Sequence, residues 1–100
     1  MTIIVTVNVA ARFRGFLASC MLEIAPGVYT APRMTRGIRD RVWGVVESWY
    51  GETSGGMILM TWKDNSLRGG QAVRVLGTAP TDLVELDGMF LARTELGSSE

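Results

Sequence analysis

An α+β fold, one antiparallel sheet with two helices on one of its faces, is the architecture this sequence predicts, on three observations. Residues 13–24 and 38–49 carry apolar side chains at three- and four-residue spacing, the mark of amphipathic helices. Between and around them lie apolar runs of strand length separated by turn residues. The chain of 100 residues, 47% hydrophobic and 20% charged with a mean hydropathy of +0.20, supplies enough apolar side chain for one core and too little for two.

Thr2 to Val9 is a run of β-branched and apolar residues, predicted as a central strand. Asn8 to Arg12 is its exit, and Phe13, Phe16, Leu17, Cys20, Met21 and Ile24 then form the apolar stripe of the first helix. Pro26-Gly27 is a turn dipeptide between Leu22–Ala25 and Val28–Thr30, predicted as a short or bulged strand pair. Pro32 ends that pair because it lacks a ladder donor, and Thr35 caps a second helix with Ile38, Val42, Val45, Val46 and Trp49 on its apolar face. This helix is expected to stop near Tyr50-Gly51, before loop chemistry through Gly56.

Met57 to Trp62, almost wholly apolar, suits a sheet interior, and residues 63–70 form the connection to a returning strand, Gln71 to Leu76. Leu83–Leu86 and Met89–Ala92 flank Asp87-Gly88, a two-residue hairpin signal. The β-α-β-β-α-β order with helices on one face is a ferredoxin-like sandwich with an extra C-terminal hairpin at about 83–94. One domain over 1–96 and a frayed tail at 97–100 complete the expected organisation. The open sheet face needs cover, and a second copy of the chain is the economical choice, giving a homodimer through the sheet face.

Composition excludes much chemistry. There is no histidine, which removes His-dependent acid/base catalysis and most zinc sites, and the single cysteine cannot form an internal disulfide. Cys20 is expected to be a buried structural residue. No run of ~18 apolar residues is present and the start lacks a signal-peptide pattern, so the expected location is the cytoplasm, with no membrane partner. Gly51 to Gly56 lacks the Lys-Ser/Thr of a phosphate loop and is a turn. Trp43, Trp49 and Trp62 are assigned to core packing or dimer contact rather than base stacking.

The net charge is zero, yet Arg12, Arg14, Arg33, Arg36, Arg39 and Arg41 crowd the first half while acids dominate the last fifth. Arg12 and Arg14 fall in the first turn of the first helix, and Arg36 and Arg39 near the start of the second. Helix N-termini attract anions, and guanidinium forks grip phosphate, so these four arginines are candidate contacts to a nucleic-acid backbone. The plainer alternative has them solvated and paired with Glu23, Asp40 or Glu47. A divalent-metal nuclease would want a carboxylate at the end of the first strand. Asn8 is the polar group there, able to offer a carbonyl oxygen but no charge.

Taken together, Asn8-Val9-Ala10-Ala11-Arg12-Phe13-Arg14-Gly15, Leu22-Glu23-Ile24-Ala25-Pro26-Gly27-Val28-Tyr29, Ile38-Arg39-Asp40-Arg41-Val42-Trp43 and Leu86-Asp87-Gly88 resemble the type I-E branch of the CRISPR-associated Cas-two family. The resemblance implies a ferredoxin-like homodimer at the centre of the spacer-acquisition complex. Such a dimer lays double-stranded prespacer DNA on its basic surface and bridges dimers of the Cas-one integrase. It implies phosphate contacts by Arg12 and Arg14, with Arg36 and Arg39 as secondary contacts. It also implies integrase docking by Leu83, Val84, Leu86, Asp87, Gly88 and Met89. A scaffold of this kind requires no cofactor. Family members are also described as metal-dependent endoribonucleases or DNases, for which Mg²⁺ would be the cofactor; here no acid stands between Thr6 and Val9. A dimerisation module without a nucleic-acid role is the third reading.

Overall fold

In the computed structural model, residues 1–52 and 55–77 are described together with the backbone of two strands nearer the C-terminus. In chain order the elements are β1 (Thr2–Val7), α1 (Ala11–Cys20), β2 (Leu22–Ala25), β3 (Val28–Ala31), α2 (Arg36–Tyr50), β4 (Met57–Lys63), β5 (Gln71–Leu76), β6 (Asp82–Leu86) and β7 (Met89–Arg93). The first five strands form one sheet in the order β2-β3-β1-β4-β5, every neighbouring pair antiparallel. The crossing from β1 through α1 to β2 leaves a gap that β3 fills. That split arrangement is compatible with the predicted ferredoxin-like fold, with β5 added at one edge.

Alternation along β1 sets the two faces of the sheet. Thr2, Ile4 and Thr6 are buried, and so are Met60 and Tyr29, the cross-strand partners of Ile4, and Ile58, the partner of Thr6. Phe13 and Leu17 of α1, and Val42, Trp43 and Val46 of α2, close the core over this face. The opposite face carries Ile3, Val5, Leu59, Val73 and Val75, all half-buried in the single chain. Among the described residues no helix is long and apolar enough to cross a membrane.

Several local expectations are corrected. β1 stops at Val7 rather than Val9, because Asn8 takes a left-handed backbone (φ 56°) that ends the ladder and turns the chain toward α1. Ile24 is not on the helix stripe: α1 ends at Cys20, Met21 is already extended at φ −139°, and Ile24 lies on β2, well exposed. The apolar spacing ran on past the helix because β2 begins one residue after the cap. Cys20 is exposed rather than buried, on the last turn of α1. Ile38, in the first turn of α2, is also exposed, and Trp43 takes the core position instead.

Other features stand as read. Thr35 caps α2, its side-chain oxygen accepting from the Ile38 amide at 3.3 Å. β2 and β3 pair with a register shift between Glu23 and Ala25, the expected bulge. β6 and β7 pair antiparallel with Leu86 opposite Met89, the register that brackets a two-residue connection; Asp87-Gly88 itself and the tail at 97–100 lie outside the described residues.

The β2–β3 turn is bound to β1 through Gly27. Its carbonyl accepts from the Thr6 amide at 2.8 Å and from Thr6 Oγ1 at 3.1 Å, while its own amide donates to Glu23 Oε2 at 3.0 Å. At φ 78°, a Cβ here would sit 2.8 Å from the Thr6 carbonyl oxygen. Gly27→Ala is therefore expected to destabilise the fold by more than ~1 kcal/mol. Gly15→Ala, in the middle of α1 with no neighbouring atom within 4 Å, is expected to stabilise it by ~0.5–1 kcal/mol. Urea unfolding of the two variants checks both signs.

Candidate nucleic-acid interface

The four predicted arginines form two groups at opposite ends of the sheet. α1 leaves from the C-terminal end of β1, where Val7 pairs with Met57, and carries Arg12 and Arg14 in its first turn. α2 follows β3, whose last residue, Ala31, pairs with Thr2 at the start of β1, and there carries Arg36 and Arg39. Six residues of β1 separate these poles, a distance on the order of 20 Å.

At the first pole α1 begins with Ala10 at its N-cap, without a side-chain cap and without an acid in the first turn. Its leading amides are therefore free of a side-chain acceptor, and they sit beside two cations. Arg12 is held in place: its guanidinium lies 4.5 Å from the Trp49 ring centroid and 3.1 Å from Glu52 Oε1. Trp49 is itself wedged by the edges of Phe13 and Phe16, at centroid distances of 5.8 and 5.4 Å. The ion pair is exposed and worth ~0–1 kcal/mol, so a phosphate can replace Glu52 at small cost. Arg14 is exposed and lines a cleft of about 330 Å³ with Thr6, Asn8, Val9, Pro26 and Gly27. Its charge is felt by Tyr29: burial and the Glu23 carboxylate push that phenol's pKa up, and Arg14 pulls it down.

At the second pole Arg39 lies 4.3 Å and Arg74 4.9 Å from the Trp62 ring centroid. Asp40 spans two cations, with Oδ1 3.2 Å from Arg74 and Oδ2 3.8 Å from Arg36. Arg36, Arg39, Trp62 and Arg74, with Lys63, Asp64, Asn65 and Ser66, border a cleft of about 410 Å³. Arg74 and Lys63 were not among the sequence candidates. The signal for Arg74 is that it interrupts the core-facing row Ala72, Arg74, Leu76 of β5, where a charged side chain needs a purpose. That signal required the β4–β5 register, which places Arg74 opposite Met60.

Asn8 borders a third cleft with Val7, Tyr50, Gly55, Gly56, Met57 and Gly77. The Tyr50 hydroxyl donates to the Gly56 carbonyl at 3.0 Å, and a Cβ at Gly56 would meet the Asn8 carbonyl oxygen at 2.6 Å, so backbone fills the space beside Asn8. Among the described residues no carboxylate lines this cleft, and no three His, Cys, Asp or Glu side chains converge for a metal. This neutral donor set does not fit Mg²⁺, which is bound through carboxylates. The predicted docking residues Leu83, Val84, Leu86 and Met89 lie on β6 and β7, described as backbone only.

Of the plainer pairings predicted for the arginines, Asp40 is engaged at the second pole, whereas Arg12 pairs with Glu52, a residue the sequence did not single out. Asp64 folds back on its own turn, its Oδ1 accepting from the Ser66 amide at 2.9 Å and the Ser66 hydroxyl at 2.6 Å. Those bonds, aided by Arg39 and Arg36, hold its pKa below the usual aspartate value. Stabilisation from a lowered carboxylate is present above the unfolded pKa and is lost as pH falls through the folded one. Ser66→Ala is expected to return the Asp64 titration toward its ordinary range, read by carboxyl NMR.

Residues 1–91 match the family described as CRISPR-associated protein (Cas_Cas2CT1978). The matched span contains both arginine poles and ends within β7.

Proposed function

The chain belongs to this family of CRISPR-associated Cas-two proteins, and from that premise we propose that it serves CRISPR adaptation as a non-catalytic scaffold that binds prespacer double-stranded DNA by its backbone. The observation that carries the reading is the placement of Arg12 and Arg14 at the uncapped start of α1. Cations are ordinarily disfavoured there, and two of them beside amides without a side-chain cap make sense against an external anion.

The two poles extend the same logic. A duplex lying along the helices would pass from Arg12 and Arg14 to Arg36 and Arg39 over about six base pairs, at 3.4 Å per step along each strand. Contacts of this type position DNA without reading its sequence. In this proposal the half-buried apolar face of the sheet joins two copies, which doubles the phosphate contacts. The β6–β7 unit, with Leu83, Val84, Leu86, Asp87, Gly88 and Met89, docks the Cas-one integrase by strand addition. In this proposal the type I-E assignment rests on the Asn8 to Gly15 motif together with the Leu22 to Tyr29 segment.

Duplex binding by the purified protein across a salt series, with Mg²⁺ and EDTA lanes, tests the proposal. Wild type is expected to bind with a steep salt dependence and leave the DNA intact. R12E/R14E is expected to lose about tenfold or more in affinity, with native circular dichroism. A folded double variant that binds as well as wild type overturns the arginine assignment. Mg²⁺-dependent cleavage abolished by N8A would replace the scaffold by a nuclease.

A further inference from the structure

We propose that the cleft between α2, β4 and β5 is a second phosphate site, in which a phosphodiester group of the duplex is held by Arg39, Lys63 and Arg74 and displaces Asp40. The proposal rests on the backbone-binding reading above and adds Lys63 and Arg74 to it, at the pole opposite Arg12 and Arg14.

Three observations carry it. First, Arg39 Nε is buried and has no hydrogen-bond partner among the described residues. A donor on a charged group left without an acceptor is costly, and an incoming anion would relieve that cost. Second, Arg39 and Arg74 both sit on Trp62, so the indole serves as a platform for two cations, and their forks suit the oxygens of a phosphate. Like charges held this close are self-repelling until an anion lies between them. Third, one of these two cations already holds an anion: the half-exposed Asp40 carboxylate pairs with Arg74 and, on its other oxygen, with Arg36. A carboxylate and a phosphodiester each offer acceptor oxygens with a single negative charge, so a phosphodiester can replace Asp40 on Arg74 at the small cost of a part-exposed ion pair. Asp64 lines the cleft with its Oδ1 taken up by the Ser66 amide and hydroxyl.

The experiment titrates the full chain with a fluorescein-labelled duplex of arbitrary sequence over a salt series, comparing wild type with K63Q, K63Q/R74Q, D40N and R12E/R14E. K63Q/R74Q is expected to bind more weakly, with its log–log salt slope shallower by about 1.8 per protomer, and K63Q alone by about 0.9. D40N is expected to bind up to about fivefold tighter, the equivalent of one exposed ion pair released. K63Q is on an exposed residue and keeps the test decisive even if the double variant unfolds. Unchanged slopes in folded K63Q and K63Q/R74Q, with binding still lost in R12E/R14E, overturn this site and leave the scaffold intact. D40N binding no tighter than wild type overturns the displacement of Asp40. Failure of wild type to bind duplex overturns the scaffold and this site together.

Discussion

β1 is hydrogen-bonded on both sides, to β3 and to β4, and both partners run against it. From this one constraint the layout of the molecule follows. Because β1 is central, Thr2, Ile4 and Thr6 can be buried under both helices at once, and the core is built around that row. Because its neighbours are antiparallel, the chain leaves β1 at one end of the sheet and leaves β3 at the other. The helices that follow therefore start at opposite ends, and each brings its arginines with it. A parallel arrangement would have gathered all four at one edge.

The charges are organised by aromatic rings as much as by acids. Trp49 and Trp62 each lie beneath a guanidinium, one at each pole, and each is half-buried. An arginine resting on an indole loses less freedom when it grips an anion than one waving in solvent, because its rotamer is already chosen. Glu52 pairs with Arg12, and Asp40 with Arg74, the second guanidinium on Trp62, through part-exposed contacts of small worth. A chain with zero net charge thereby holds guanidiniums at two separate places, each beside one indole.

Much of the fold was legible because its signals are local. The strand at Gln71–Leu76, the Thr35 cap, the turn at Pro26-Gly27 and the end of α2 near Tyr50 each depend on a few adjacent residues, and each lies where the sequence places it. The failures share a cause as well. Ile24 fits helix spacing but belongs to β2, and Cys20 and Ile38 carry apolar side chains yet are exposed. Periodicity reports which residues share a face only while an element continues, and it does not report which other element covers that face.

The amino-acid sequence by itself determined the α+β class, the order of helices and strands, the loading of both helix starts with arginine and the absence of histidine chemistry. These are properties of residue type and short-range spacing, written along the chain. Tertiary structure alone decided that the two arginine groups stand some 20 Å apart rather than in one groove, because strand order and direction are long-range choices. It alone brought Arg74 of β5 and Arg39 of α2 onto the same Trp62, since that meeting needs the register of β5 on β4 and the seat of α2 above them.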